Sequence, residues 1–252
     1  MKKDGRDNII RLINTEKKNM KKTYKIAGLN ISVSSLYEDV HRLCADYISD
    51  GEPDITVITN QSDIDFERKK ADGRYSDGYL ETLAVYRKIA ETMPEHDTVL
   101  CHGSALAVDG EGCIFVAPSG TGKSTHARLW RQYLGDRVIM INDDKPLIKI
   151  TKNGAFVCGT PWDGKHRLSA NITVPLKALS VLSQAKENSI RQTEPSEAYA
   201  ALLQQVYRPK NAIALMKTLD LIDTLTAQIR LYSMECNTDI DAARIAYEAM
   251  KG

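Results

Sequence analysis

The residues best suited to chemistry lie in one segment, Ala117 to Thr125, which reads A-P-S-G-T-G-K-S-T. A glycine-rich turn that ends in Lys-Ser and leads into a helix can wrap its backbone N–H groups around phosphates. The ammonium of Lys123 would then lie on the β/γ oxygens, and the Ser124 hydroxyl would be a ligand of Mg²⁺. The usual first glycine of this pattern is replaced by alanine here. The segment predicts a nucleotide-binding loop, formed by Ser119, Gly120, Thr121, Gly122, Lys123, Ser124 and Thr125.

The residues on either side of this loop predict the elements that must position it. Gly112 to Ala117 is a short apolar run typical of a strand, and Lys123 to Leu134 has the periodicity of a helix, with Ala127, Trp130 and Leu134 on one face. A surface turn before an ordinary helix is the alternative interpretation. The order strand, glycine loop, helix favours phosphate binding.

Two adjacent acids follow the next predicted strand. Val138 to Ile141 is apolar and ends in Asn142-Asp143-Asp144. Carboxylates at this edge of the sheet lie beside the loop, where they can hold Mg²⁺ or accept a proton. A capping turn before Pro146 is the alternative. The residues alone leave open which acid is the base and which holds the metal.

The strand that enters the loop is predicted to pair with residues 98–108. A turn centred on Gly110-Glu111 pairs Val108 with Cys113 and brings His102 opposite Ser119. This register places His102 beside the phosphates. A structural role and a chemical role for this histidine are favoured equally.

A second hairpin is predicted around Asn153-Gly154, the strongest short hairpin signal. With these two residues as the turn, Asp144 lies near Asp163, and the prolines at 146 and 161 end the pairing. Residues 160–167 would then reach the acids as an irregular loop. We expect Asp163 to support the metal, and we expect a clamp on the γ-phosphate or an anionic substrate from Lys165, His166 and Arg167. A solvated basic loop is the alternative.

The overall charge excludes some partner classes. The 252 residues include 34 Lys and Arg against 33 Asp and Glu, so no global field attracts nucleic acid or a membrane. The expected partners are a nucleotide and a small-molecule or protein acceptor, and a homo-oligomer is left open. No spanning segment or signal peptide is evident, so a cytoplasmic protein is expected. The five scattered cysteines are expected to be buried and reduced.

The chain divides into three predicted parts. Residues 1–22 are a basic lead-in, residues 23–95 a small N-terminal α/β layer without site chemistry of its own, and residues 96–252 a catalytic domain. Because hairpins are mixed with alternating strands and helices, the predicted fold class is α/β with a mixed sheet.

The segment C-H-G-S-A-L-A-V-D-G-E-G-C-I-F-V-A-P-S-G-T-G-K-S-T, followed by I-N-D-D, resembles the catalytic domain of HPr kinase/phosphorylase. Its loop is also similar to that of ATP-dependent phosphoenolpyruvate carboxykinase. The resemblance covers about residues 98–150. It implies a mixed-sheet kinase core in which His102 lies near the phosphates, Lys123 and Ser124 hold ATP–Mg²⁺, and Asp143 acts on the acceptor hydroxyl with Asp144 as metal partner.

The resemblance has a limit that bears on the substrate. The kinase's E-[IV]-R-G segment is absent, and P-W-D-G-K-H-R takes its place, which argues against HPr as the acceptor. The leading hypothesis is therefore an ATP- and Mg²⁺-dependent phosphotransferase acting on a hydroxyl of a small metabolite or a protein serine. The alternatives are a carboxykinase-type lyase and a non-catalytic nucleotide sensor. A GTPase is disfavoured because no N-K-x-D segment follows the loop.

Overall fold

The computed structural model describes residues 19 to 251, so most of the predicted lead-in, residues 1–18, lies outside the described residues. The helices are α1 (Asp39–Leu43), α2 (Gln61–Lys70), α3 (Asp77–Thr92), α4 (Lys123–Leu134), α5 (Pro195–Gln205), α6 (Ala212–Gln228) and α7 (Ile240–Met250). The strands are β1 (Met20–Ile26), β2 (Leu29–Ser35), β3 (Ile55–Ile58), β4 (Thr98–Leu100), β5 (Gly103–Val108), β6 (Glu111–Val116), β7 (Val138–Asn142), β8 (Leu147–Thr151), β9 (Gly154–Cys158), β10 (Thr173–Gln184), β11 (Ser189–Gln192) and β12 (Arg230–Cys236). Met20 to Lys22, which the sequence assigns to the lead-in, form the start of β1.

The larger sheet is mixed, as predicted. Its strands follow the order β4-β8-β9-β10-β6-β5-β7, and β12 pairs with both β10 and β11. The long strand β10 joins the two ends: Thr173 to Pro175 pair antiparallel with β9, whereas later residues pair parallel with β6 and β12. The α/β mixed-sheet prediction is confirmed.

Helices cover both faces of this sheet. Successive residues of β6 point to opposite sides, so Phe115 packs with Trp130 of α4 and Ala243 of α7, whereas Ile114 packs with Leu202 of α5 and with α6. Strands of near-continuous apolar character, such as β5 and β6, suit this burial on two faces. The predicted strand and helix around the loop are confirmed.

The N-terminal residues build a three-stranded sheet, β1-β2-β3, with α1, α2 and α3 beside it. Its core is continuous with the larger sheet, since Tyr24, Ile31 and Ile89 belong to the same buried cluster as Leu147 and Trp162. This layer is therefore packed directly against the elements that carry the acids.

Both predicted hairpin registers are wrong by two residues. In the first, Asp109 and Gly110 form the turn with φ of 52° and 87°, so Val108 pairs with Glu111. Two positive φ angles are what a tight two-residue turn requires, and Asp-Gly supplies them. His102 therefore lies level with Ala117 and not with Ser119.

In the second hairpin, Thr151 pairs with Gly154, and Lys152 and Asn153 form the turn. The Thr151 hydroxyl accepts a hydrogen bond from the Asn153 N–H (3.1 Å) and donates one to the Gly154 carbonyl (2.9 Å), which closes the turn earlier than predicted. Extending this pairing places Asp144 level with Pro161, and not with Asp163.

Two further expectations can be compared with the described residues. All five cysteines are buried and unpaired, which confirms the structural interpretation. Of the helices between residues 19 and 251, none has the length and apolar character that crossing a bilayer requires.

Candidate functional site

The loop and the acids open onto one cavity of about 890 Å³, hereafter the phosphate cavity. Most of the predicted site residues line it, including His102, Lys123, Ser124, Asp143, Asp144, Ser119, Gly120, Gly122, Thr125, Asp163, Lys165, His166 and Arg167. Thr121 is the one predicted loop residue that does not line the cavity. Its carbonyl accepts a hydrogen bond from the Gln184 side chain at 3.3 Å. Residues far apart in the chain thus meet at one place.

The glycine loop has the backbone shape that its sequence predicts. Gly120 and Gly122 have φ of 81° and 111°, a region that side-chain-bearing residues rarely adopt, and α4 begins directly after Gly122. The first N–H groups of a helix lack partners within the helix and carry partial positive charge. The loop therefore presents the start of α4 to the cavity.

Lys123 lies across the loop. Its ammonium donates hydrogen bonds to the carbonyls of Ala117 (2.9 Å) and Pro118 (3.3 Å). Burial lowers the pKa of Lys123, while the carboxylate of Asp144 opposes that shift. Its ammonium is therefore held against the loop, and the two acids line the same cavity.

The two acids are held differently. The hydroxyl of Ser104 donates a hydrogen bond to Oδ1 of Asp143. Asp144 instead contacts a lysine ammonium and a histidine ring. Nζ of Lys145 lies 3.1 Å from its Oδ2, and Nε2 of His102 lies 3.5 Å from its Oδ1. The neighbouring carboxylates therefore face different surroundings.

Asn142 holds the acids and the following loop together. This fully buried side chain accepts hydrogen bonds from the N–H groups of Asp144 (2.9 Å) and Lys145 (2.7 Å). Its amide group donates to the carbonyls of Thr160 (2.9 Å) and Trp162 (3.2 Å). The sequence interpretation considered Asp143 and Asp144 as the functional residues of this segment, with a turn as the alternative, and missed the bridge made by Asn142.

His102 is fixed by main-chain and side-chain contacts with α5. Its N–H donates to the Gln205 carbonyl (2.7 Å), and its Nδ1 lies 3.1 Å from Oε1 of the same residue. Burial lowers the pKa of His102, and the charge of Lys123 lowers it further. The imidazole is therefore neutral at neutral pH, and its contact with Asp144 is not an ion pair.

The irregular loop over residues 160–167 is anchored by Trp162. Its ring is buried and stacks on Tyr86 of α3 at 4.1 Å, and its Nε1 donates to the Thr82 carbonyl at 2.9 Å. Asp163 beside it is buried, whereas the predicted clamp residues Lys165, His166 and Arg167 are exposed. The loop therefore has a fixed base and a solvated tip.

The N-terminal layer also lines the phosphate cavity, through Asp39 and Leu43 of α1 and through Tyr79, Thr82 and Leu83 of α3. The sequence predicted no site chemistry of its own for this layer, and in the structure the layer contributes to the cavity wall. Its helices are seated on the large sheet by the shared core and by the stacking of Tyr86 on Trp162. No motif in residues 23–95 announces this contribution, because it depends only on packing.

The oxygen ligands present suit Mg²⁺. Ser124 and Asp144 offer a hydroxyl and a carboxylate, and Mg²⁺ usually takes one or two such ligands together with water and substrate phosphates. Among residues 19–251, no three His, Cys, Asp or Glu side chains are grouped so that they could hold a metal. This donor set fits an ion that arrives with a nucleotide, and it gives no support to a joint metal site of Asp144 and Asp163.

Comparison with known proteins identifies the family. The family model described as SynChlorMet cassette protein ScmC matches residues 78–237. The chain belongs to the ScmC family. The matched region begins in α3 and ends after β12, so it includes the glycine loop, the acids and the Trp162 loop of this ScmC-family chain. No curated protein matches.

Solved structures similar to this chain include the Hpr(Ser) kinase/phosphatase from Coxiella burnetii, with a TM-score of 0.35 and 10% identity, over 61% of this chain and 99% of that one.

Proposed function

We propose that this chain is an ATP- and Mg²⁺-dependent phosphotransferase that transfers the γ-phosphoryl group to a hydroxyl of a small metabolite or a protein serine. The observation that supports the proposal is the meeting of the glycine loop, Lys123 and the Asp143–Asp144 pair in one cavity. Phosphoryl transfer depends mainly on positioning and on neutralising charge, and these groups supply both.

Asp143 is the proposed proton acceptor. The Ser104 hydroxyl occupies one of its oxygens and orients the carboxylate, which leaves the other oxygen for the acceptor hydroxyl. In the transfer, the acceptor oxygen bonds to the γ-phosphorus, the bond from that phosphorus to the β,γ-bridging oxygen breaks, and the hydroxyl proton passes to Asp143. Positioned bases of this kind accelerate reactions by about 10²- to 10⁴-fold.

Lys123 and the start of α4 are the proposed charge-neutralising groups. The ammonium and the backbone N–H groups would bind the phosphate oxygens, and Arg167, Lys165 and His166 would approach the γ-phosphate from the exposed side of the cavity. Ser124 and Asp144 would hold Mg²⁺, which screens the phosphate charges when it is bound. The neutral imidazole of His102 lies beside Asp144 and adds no positive charge that would compete with the metal.

The test is transfer from radiolabelled ATP to a panel of hydroxyl acceptors, with Lys123→Ala as the diagnostic variant. We expect the variant to fold normally and to lose about 10²- to 10³-fold in transfer, because one preorganised charge on the phosphates is removed. Lys152→Ala is the matched control, since Lys152 is exposed in the β8–β9 turn. Wild-type transfer by Lys123→Ala would show that the cradle assignment is wrong.

Other outcomes point to the remaining hypotheses. ATP binding without any transfer or hydrolysis would favour a nucleotide sensor over an enzyme. Formation of phosphoenolpyruvate from oxaloacetate would favour the lyase. Either result contradicts the phosphotransferase proposal.

A further inference from the structure

A second cavity of about 430 Å³ adjoins the phosphate cavity and is hereafter the side cavity. The two cavities share lining residues, among them Asp39, Asp163 and Arg167. Tyr47 and Arg42 line the side cavity alone. A ligand in the side cavity would therefore have one end in the phosphate cavity.

Asp163 has an unsatisfied oxygen at the junction of the two cavities. The residue is 6% exposed, and its Oδ2 accepts a hydrogen bond from the Ser169 hydroxyl at 2.8 Å. Its Oδ1 is buried and has no hydrogen-bond partner, and the nearest guanidinium nitrogen, Nη1 of Arg167, is 3.6 Å away. The guanidinium of Arg167 is an exposed ion-pair partner of Oδ1 but donates no hydrogen bond to it, so this buried acceptor lacks a donor that a ligand could supply.

Tyr47 adds a second unsatisfied group in the side cavity. Its side chain is buried, and its hydroxyl lies near Ser169 without a well-formed hydrogen bond. Burial raises the pKa of Tyr47, and the nearby carboxylate of Asp163 raises it further, so the hydroxyl stays protonated. Two buried polar atoms without partners in one small cavity are unusual in a folded protein.

The charges around the side cavity favour a cation. Three carboxylates line it, those of Asp39, Asp46 and Asp163, against the guanidinium groups of Arg42 and Arg167. Arg42 lies 3.3 Å from Asp39 and Arg167 lies 3.6 Å from Asp163, so the lining keeps one carboxylate more than it has guanidinium groups. A ligand with a positively charged donor would meet both the charge and the unsatisfied oxygen.

Asp163 and the proposed proton acceptor Asp143 both line the phosphate cavity. A Cβ atom built on Gly164 would be 3.2 Å from Cβ of Asp144 and 3.7 Å from the carbonyl oxygen of Asp143. The residue next to Asp163 therefore touches the acid pair. The two carboxylates therefore face one space that a single ligand can share.

We propose that the phosphoryl acceptor is a small alcohol that also carries an ammonium group, and that Asp163 binds the ammonium while the hydroxyl faces Asp143. This inference rests on the proposed phosphotransferase function. The ammonium has no free electron pair and cannot attack the phosphorus, so the hydroxyl is the group that is phosphorylated, with its proton passing to Asp143 and ADP leaving. Asp163 is thus a specificity-determining residue.

The experiment compares ligands that differ only in the amine. L-serine is paired with L-glycerate, and 2-aminoethanol with ethylene glycol; binding is measured by equilibrium dialysis with Mg²⁺ and a non-hydrolysable ATP analogue, and transfer is measured with ATP. We expect each amine to bind at least about 10-fold more tightly than its partner, because a charge-assisted hydrogen bond to a buried carboxylate is gained.

Asp163→Asn tests the residue itself. The amide keeps the shape and an acceptor for Ser169 but removes the charge, so we expect the preference for the amine to disappear through a rise of about 10- to 100-fold in KM. The kcat, the ATP affinity and Tm should change little, whereas a merely structural role would alter Tm or ATP affinity. Asp136→Asn, an exposed residue after α4, is the matched control.

The two proposals can fail separately. Equal binding within each pair by the wild-type protein, or an amine preference that survives in Asp163→Asn, would overturn the ammonium site. Equally fast transfer to the alcohols without an amine would also overturn it while leaving the phosphotransferase intact. Amine binding that depends on Asp163, without any transfer, would support the ammonium site and refute the phosphotransferase.

Discussion

Replacing Asn142 with aspartate should loosen the whole acid-bearing edge of the sheet. Asn142 is 0% exposed, and its amide donates to the Thr160 carbonyl, the Thr160 hydroxyl and the Trp162 carbonyl at 2.9, 3.0 and 3.2 Å. A carboxylate has no hydrogen to donate to any of them. The Thr160 hydroxyl can donate to the carboxylate only by giving up its hydrogen bond to the Lys145 carbonyl at 2.9 Å, so no bond is gained.

The expected loss follows from this count. Each lost hydrogen bond contributes about 1 kcal/mol, and the new charge would be buried against carbonyl oxygens without a cation in contact. The two bonds that Asn142 accepts, from Asp144 and Lys145, can persist. We therefore expect Asn142→Asp to lower the free energy of unfolding by about 3 to 5 kcal/mol, which for a chain of this length corresponds to about 6 to 20 °C in Tm.

Urea unfolding of Asn142→Asp and a matched control measures this loss. Asn153→Asp is the control, because Asn153 is exposed in the β8–β9 turn and should change stability by no more than about 0.5 kcal/mol. Transfer activity should also fall in Asn142→Asp, since the loop at Trp162 is no longer tied to the acids. A wild-type urea midpoint for Asn142→Asp would refute the bridging role.

Three further predictions concern the acids, a glycine and a histidine. Asp143→Asn should keep ATP–Mg²⁺ binding but cut transfer by about 10²- to 10⁴-fold. Asp144→Asn should instead raise the Mg²⁺ concentration needed for half activity. Parallel loss of binding and rate in both variants would contradict this division of roles. Gly164 and Gly110 both have positive φ, 74° and 87°, so replacing either with alanine should lower the free energy of unfolding by about 1 to 2 kcal/mol, the cost of a left-handed residue. Gly164→Ala should also lose activity, because its Cβ would contact Asp144, whereas Gly110→Ala has no atom within 4 Å and should keep its activity. Kinetics and urea unfolding of both variants test this. Burial lowers the pKa of His126 from 6.5 to about 4, so the unfolded chain binds this proton more readily than the folded one. The free energy of unfolding should therefore fall by about 3 kcal/mol as the pH drops from about 6.5 to 4. Unfolding measured at both pH values should show a smaller fall for His126→Gln, and an equal fall would contradict the assignment.

The glycine loop and its two flanking elements could be predicted from the sequence because they are local. Loop, strand and helix are neighbours in the chain, and the bounds of α4, Lys123 to Leu134, agree with the periodicity of its apolar residues. The placement of Asp143 and Asp144 at a strand end is local as well. The partition of roles between these acids stays a prediction.

The exact pairing of the hairpins could not be predicted in the same way. Asp109-Gly110 competes with Gly110-Glu111 for the first turn, and the Thr151 hydroxyl decides the second. Such choices differ by single hydrogen bonds and backbone angles, so a rule that only locates the turn can miss the register by two residues.

The sequence by itself determined which residues can hold phosphates, because that chemistry needs only a glycine turn, a lysine and a helix start in succession. Tertiary structure alone decided what surrounds them. Asn142 reaches Trp162, 20 residues away, His102 meets Gln205 across 103 residues, and Tyr79 of the N-terminal layer reaches the cavity wall. The burial of apolar surfaces, such as the stacked rings of Tyr86 and Trp162, brings these polar side chains together. The positions of the polar side chains follow no periodic pattern in the sequence, so the sequence does not predict their contacts.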